Sequence, residues 1–142
     1  LKITWDYLAG FVDGEGCISI YDYLRKRTKV GKGRKHKIGV RYGFYSRQRG
    51  VKVTMSQAWR VTFNVTQKNN DHVLNMILKF ITDRGIHGYL IHNKGIPIGV
   101  QVAHHKDVFK LLSKLLPKLI VKHGQAKKAI AVLKQLWPKE CK

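Results

Sequence analysis

Leu8-Ala9-Gly10-Phe11-Val12-Asp13-Gly14-Glu15-Gly16 reads as a short helix with an abrupt end. Thr4 is placed to cap it, and Trp5, Leu8, Ala9 and Val12 recur every three or four residues on one face. Ala9 and Gly10 are small enough for a second backbone to approach closely. Gly14 and Gly16 stop the helix, and Glu15 is projected at its end. An acid without a partner is unfavourable at the negative end of a helix dipole, so the sequence predicts a specific partner for Asp13.

Immediately after this helix the period changes from 3.6 to 2. Cys17 to Leu24 reads as a strand, with Ile18 and Ile20 on one face and Ser19, Tyr21, Tyr23 and Arg25 on the other. Residues 26 to 50 are basic and punctuated by Gly31, Gly33, Gly39, Gly43 and Gly50, which predicts a long loop or extended hairpin. A long alternating run follows. Val51, Val53, Met55, Trp59, Val61, Phe63 and Val65 are apolar at odd positions; Lys52, Thr54, Ser56, Arg60, Thr62, Asn64 and Thr66 are polar at even ones. Such a strand packs one face on a core and presents the other as a row of hydrogen-bonding groups.

The remainder predicts a helix from Asn70 as N-cap to Gly85 as C-cap, buried through Val73, Leu74, Ile77, Leu78 and Ile81. Strands Gly88 to His92 and Ile96 to Val102 form a hairpin through Asn93-Lys94-Gly95, with Pro97 fitting an edge or a strand start. A third helix near Lys106 to Leu116 stops at Pro117, and a fourth spans about Gln125 to Leu136. The fold class is α+β, one domain over residues 1–142, with helices on one face of the sheet and a partner on the other.

Charge distribution names that partner's chemistry. Of 142 residues, Lys and Arg number 28 and Asp and Glu only 8, a formal charge of +20 that calls for a polyanion. Residues 23 to 70 contain no carboxylate and 14 of the 28 Lys and Arg, interleaved with Tyr23, Tyr42, Phe44, Tyr45 and Trp59. That composition suits a nucleic-acid surface. Arg, Asn and Thr on the even face are side chains that read base edges. No basic amphipathic helix of membrane-binding type occurs in this segment, so no membrane partner is expected. No apolar run approaches the roughly 20 residues of a membrane span, and no secretory leader is evident. Cys17 and Cys141 are too few and too far apart for a disulfide scaffold and are expected to be reduced thiols. The seven His have no zinc-type spacing with Cys.

The nine residues Leu8 to Gly16 resemble the signature of the LAGLIDADG homing endonucleases, with Phe-Val for the central aliphatic pair and Gly-Glu for Ala-Asp. Phe63-Asn64-Val65-Thr66-Gln67-Lys68 and Leu115, Pro117, Lys122, Gln125 and Ala126 echo the single-motif, chloroplast-type subgroup. The resemblance implies an αββαββα(α) fold with a curved antiparallel sheet on DNA. It also implies homodimers paired through the motif helix, here Leu8, Ala9, Gly10 and Val12. Glu15 matches the metal-binding acid, with the Gly14 carbonyl beside it, for Mg²⁺ or, in its place, Mn²⁺ or Ca²⁺. Gln67 and Lys122 match catalytic positions, whereas Asp13 matches a structural one. A basic residue follows the Gln by four positions in the family. Here that position is Asp71, for which Lys68 or His72 can substitute.

The implied activity is metal-assisted cleavage of both strands of a long near-palindromic duplex, leaving short 3′ overhangs. Base readers would be Ser19, Tyr21, Tyr23, Arg25, Arg60, Thr62 and Asn64, with His92 and Lys94 from the later hairpin. Family habit places the gene in an intron of an organelle or archaeon, so action in an organelle matrix or archaeal cytoplasm is expected. Competing readings are an RNA-binding maturase, a non-cleaving DNA-binding protein on the same fold, and a small basic ribosomal protein. The acid at position 15 favours cleavage, because pure binding has no use for a carboxylate beside a polyanion.

Overall fold

The computed structural model describes residues 2–30, 42–45 and 51–141, with side chains at 2–21 and 59–141. Its elements are α1 (Trp5–Glu15), β1 (Gly16–Val30), β2 (Tyr42–Tyr45), β3 (Val51–Thr66), α2 (Asp71–Thr82), β4 (Tyr89–Asn93), β5 (Ile96–Val102), α3 (His105–Leu115), a 3₁₀ turn (Leu116–Lys118) and α4 (His123–Leu136). The αββαββα(α) order expected from the sequence is present, with β2 added. Strands pair in the order β1-β3-β5-β4, and β2 also pairs with β3. Among the described residues, no helix is long and apolar enough to cross a membrane.

The chain forms two compact units, Leu1–Ile20 with Val61–Lys142, and Tyr21–Arg60. In the larger unit the alternation of β3 works as expected. Val61, Phe63 and Val65 are at most 1% exposed. Phe63 pairs with Val102 and Val65 with Val100, antiparallel, so both strands turn the same rows inward. Onto those rows pack Leu74, Ile77 and Ile81 of α2, Val108, Leu111, Leu112 and Leu115 of α3, Ala126, Ala129, Ile130 and Leu133 of α4, and Leu8, Ala9 and Val12 of α1. Side chains alternate across a strand, so Asn64 and Gln101, themselves register partners, lie on the opposite face.

Local signals set the ends of these elements. Thr4 accepts a 3.1 Å bond from the Tyr7 N–H and caps α1. α2 stops at Thr82, three residues before the predicted Gly85. Gly85 nonetheless ends it, at φ +75°, with the Ile86 N–H on Ile81 O and the Gly85 N–H on Thr82 O, both at 3.0 Å. This is a Schellman closure, and it needs a residue that tolerates positive φ. Asn70 occupies the N-cap position without a side-chain capping bond. The β4–β5 turn has Lys94 at φ 52° and Gly95 at φ 78°, the signs of a type I′ hairpin. Pro97 pairs with His92 of β4 and precedes Gly99, where pairing of β5 with β3 begins. Its missing N–H therefore costs the β3 ladder nothing.

The smaller unit has strand structure within residues 26 to 50, as the extended-hairpin reading allows. β1 continues to Val30 instead of ending near Leu24. Tyr42–Tyr45 is a strand paired antiparallel with β3, from Tyr42 with Met55 to Tyr45 with Lys52. Aromatic residues favour strands, a preference masked in the sequence by the surrounding glycines. The rest of that segment, 31–41 and 46–50, lies outside the described residues. Trp59, expected on the core face, is 45% exposed. Fourth-helix residues begin earlier than expected, at His123, which makes Lys122 the N-cap residue of α4.

Candidate active site and nucleic-acid face

Glu15 is the last residue of α1 and is exposed. The chain turns from helix to strand at Gly16, where a Cβ would lie 2.7 Å from the Val12 carbonyl. Only glycine permits so tight an exit, and that exit leaves the Glu15 carboxylate at the helix tip. Gln67 is one residue past β3, yet its N–H still donates to Ile98 O of β5 at 2.8 Å. The turn after it bends through Asn69 at φ 59°, a conformation that Asn tolerates. Glu15, Thr66, Gln67, Lys68 and Ile98 thereby line one pocket of about 490 Å³.

Two of the three predicted catalytic residues thus meet in one place, together with Lys68, one of the two residues expected to substitute for the basic group at Asp71. His72 is exposed and is not among the residues lining that pocket. Lys122 is held at the same end of α1 by a different arrangement. Its Nζ donates to the Asp13 carbonyl at 2.6 Å. The Asp13 carboxylate accepts the backbone N–H groups of Ile120, Val121 and Lys122 at 2.8, 3.1 and 2.9 Å. The partner required of Asp13 is this segment between α3 and α4. Burial pushes the Asp13 carboxyl up, but the bonds from Ile120, Lys122 and Val121 and the Lys122 charge outweigh it and hold the group below its ordinary value.

The outward side of α1 corrects the expected dimer residues. Leu8, Ala9 and Val12 are 0%, 1% and 0% exposed within the chain itself, so they pack its own core and present nothing to a partner. Gly10 is exposed, and a Cβ there or at Gly14 would meet nothing within 4 Å. Tyr7, 45% exposed, shares this outward face with both glycines by helical spacing. Beside it runs the segment that Asp13 clamps, with Ile120 86% and Val121 74% exposed. Lys118 Nζ anchors the same segment on Asp6 at 2.6 Å.

The expected base readers are distributed as follows. In the larger unit, Ser19 is half-buried with its hydroxyl 3.3 Å from Cys17 Sγ. Asn64 is half-buried, and His92 and Lys94 are exposed. Thr62 is only 4% exposed, which removes its hydroxyl from the solvent-facing row. In the smaller unit Tyr21 and Arg60 are exposed; the side chains of Tyr23 and Arg25 lie outside the described residues. Asn64 heads a row of register partners across β3, β5 and β4, Asn64–Gln101–Tyr89, of which sequence reasoning missed Gln101 and Tyr89. The alternation of β5 could have supplied Gln101, whereas the place of Tyr89 depended on the hairpin register.

Among the described residues Glu15 is the only carboxylate of the pocket, and no group of three His, Cys, Asp or Glu could hold a metal ion. The donors available, one carboxylate and the adjacent Gly14 carbonyl, are of the hard-oxygen kind that Mg²⁺ takes. They are too few to complete its shell.

The LAGLIDADG endonuclease family model matches residues 8–135, and the chain belongs to that family. Solved structures share the fold. The homing endonuclease I-CvuI, in complex with the I-CreI target, superposes with a TM-score of 0.65 at 23% identity over 96% of this chain and 69% of that one. I-CvuI in complex with its own target gives 0.61 at 23% identity, over 95% and 68%. The homing endonuclease I-TnaI gives 0.58 at 20% identity, over 96% and 75%. No curated protein matches the sequence.

Proposed function

We propose that the chain is a site-specific DNA endonuclease that acts as a homodimer on a long, near-palindromic duplex and cuts both strands to leave short 3′ overhangs. The observation that carries this reading is the convergence of Glu15, Gln67 and Lys68 on one pocket at the tip of the family's motif helix. I-CvuI, whose fold this chain shares, has been seen bound to DNA targets, which supports duplex DNA as the substrate.

Glu15 and the Gly14 carbonyl would hold Mg²⁺, with Mn²⁺ or Ca²⁺ as substitutes, and DNA phosphates and a second copy's acid would supply the missing oxygens. Bound there, a divalent ion supplies Lewis-acid polarisation of the phosphate and a more acidic water. The chain's own residues supply the rest. Gln67, fixed through its N–H on Ile98, offers a donor and an acceptor to orient water. Lys68 takes the place of the family's basic residue and, with Lys122, offsets charge developing on the phosphate. Asp13 orders the segment that carries Lys122 and touches no reacting atom. Tyr7, Gly10 and Gly14 of α1, with Ile120 and Val121, form the face toward the second copy. Asn64, Gln101, Tyr89, Tyr21 and Arg60 read bases, while the Lys and Arg of residues 23–70 track phosphates.

A selection for cleaved duplexes from a randomised library with Mg²⁺, run beside Glu15→Gln, tests this. The parent should yield one near-palindromic site. The variant should bind that site and cut it more than about a hundredfold more slowly, since loss of an outer-shell metal partner alone costs about 10- to 100-fold. Absence of cleavage by the parent, with tight binding to structured RNA instead, would overturn the reading.

A further inference from the structure

The helical layer carries a second basic face that the proposed active site does not use. Lys106, Lys110 and Lys114 succeed one another at intervals of four along α3 and are all exposed. Lys134 joins them from α4, its Nζ 6.0 Å from the ring centre of Phe109. The opposite side of α3 is buried through Val108, Leu111, Leu112 and Leu115, so the lysines point away from the core and from the sheet. Like charges four apart on a helix repel and destabilise it.

Asp83 pairs with Lys79 and Asp6 with Lys118, Asp107 and Glu140 lie against His104 and His105, and among the described residues none of these acids pairs with Lys106, Lys110 or Lys114. Lys110 extends toward Gly85 at the end of α2, where the helix dipole favours a cation; Lys106 and Lys114 have no acidic partner among the described residues. We propose that this α3–α4 face binds the phosphate backbone of a second duplex DNA segment, without regard to sequence. Lys134 Nζ lies 6.0 Å from the Phe109 ring centre, and the Ser113 hydroxyl donates to the Phe109 carbonyl at 2.7 Å. Lys106, Lys110 and Lys114 span about 12 Å along one side of the helix, a length over which a regular duplex presents successive phosphates.

The proposal goes beyond cleavage, and its test is run with chelator so that only binding is scored. Protein loaded with one soluble duplex per dimer and freed of excess duplex is passed over an immobilised, unrelated duplex. The parent should capture the second duplex. The combined Lys106→Gln, Lys110→Gln, Lys114→Gln variant should capture much less while still binding the first, with the salt slope for the second lowered by about 0.9 per lysine. The corresponding triple Arg variant should retain capture, which separates charge from any effect on folding. Equal capture by parent and Gln variant would overturn the proposal. So would lysine-dependent capture of structured RNA or of phosphatidylserine vesicles in place of duplex DNA. Loss of cleavage in the library selection, with capture intact, would count against the endonuclease reading alone.

Discussion

Asp13 shows how much one side chain can organise when its partners are backbone groups. A carboxylate accepting three N–H bonds fixes the conformation of the residues that donate them, here Ile120 to Lys122, 107 to 109 positions away. Asp13→Asn places an amide NH₂ where an acceptor is needed and removes the charge. It should lower stability by about 2 kcal/mol, in the range for hydrogen bonds to charged groups. The pH dependence has a definite sign. The folded carboxyl titrates below its ordinary value of 3.8, so its contribution is complete above that value and is lost as pH falls through the folded-state pKa. Urea midpoints measured down an acid series should therefore fall more steeply for the parent than for Asp13→Asn. Identical acid limbs would mean that the clamp contributes nothing to folding.

Among the secondary elements, the glycines at two ends and one strand pairing allow a sharper comparison. At Gly85 the obstacle to a side chain is φ +75°; the nearest atom, the Lys110 Nζ at 3.1 Å, belongs to a flexible chain. Gly85→Ala should cost about 1 to 2 kcal/mol, the left-handed penalty of an L residue. At Gly99 an added Cβ would lie 2.6 Å from the Val65 carbonyl of the paired strand. That carbonyl cannot move without disturbing the β3–β5 ladder, so Gly99→Ala should cost more than Gly85→Ala in the same urea titration. The reverse order would show that the strand pair yields more easily than the helix end. What the sequence discloses about these elements follows the same division between local and distant causes. Period, caps and turn residues are local, so Thr4, Gly85, Lys94-Gly95 and the inward row Val61, Phe63 and Val65 were legible. Periodicity identifies an apolar face and says nothing of what covers it; the family resemblance assigns Leu8, Ala9 and Val12 to a second copy, whereas they face their own core. Gln67 and Lys122 were legible only through the family motif. The clamp on Asp13 was expected in kind but not in identity, because its donors are brought in by the packing of α3 and α4. Tyr89 was missed because its place beside Gln101 depends on hairpin register.

For the whole molecule, charge sets two associations against each other. Each copy carries a formal +20, so two copies repel at long range while each is attracted to DNA. Salt screens both effects, with a Debye length of about 8 Å at physiological ionic strength. Self-association in the absence of DNA should therefore strengthen as salt is added, and DNA binding should weaken. In the proposed dimer, the apolar contact that overcomes the repulsion would come from the face of α1 and the clamped segment. Ile120 and Val121, at 86% and 74% exposed, are the two most solvent-exposed large apolar side chains among the described residues. Burying a Val or Ile side chain stabilises by roughly 1.5 to 3 kcal/mol. Replacing both, as Ile120→Gln with Val121→Gln, should then weaken dimerisation by about a hundredfold or more, leaving the backbone bonds to Asp13 intact. Sedimentation equilibrium across a salt series reads both effects. A parent that dimerises more weakly as salt rises would point to an ionic interface, and an unchanged dimer in the double variant would move the second copy to another face of the chain.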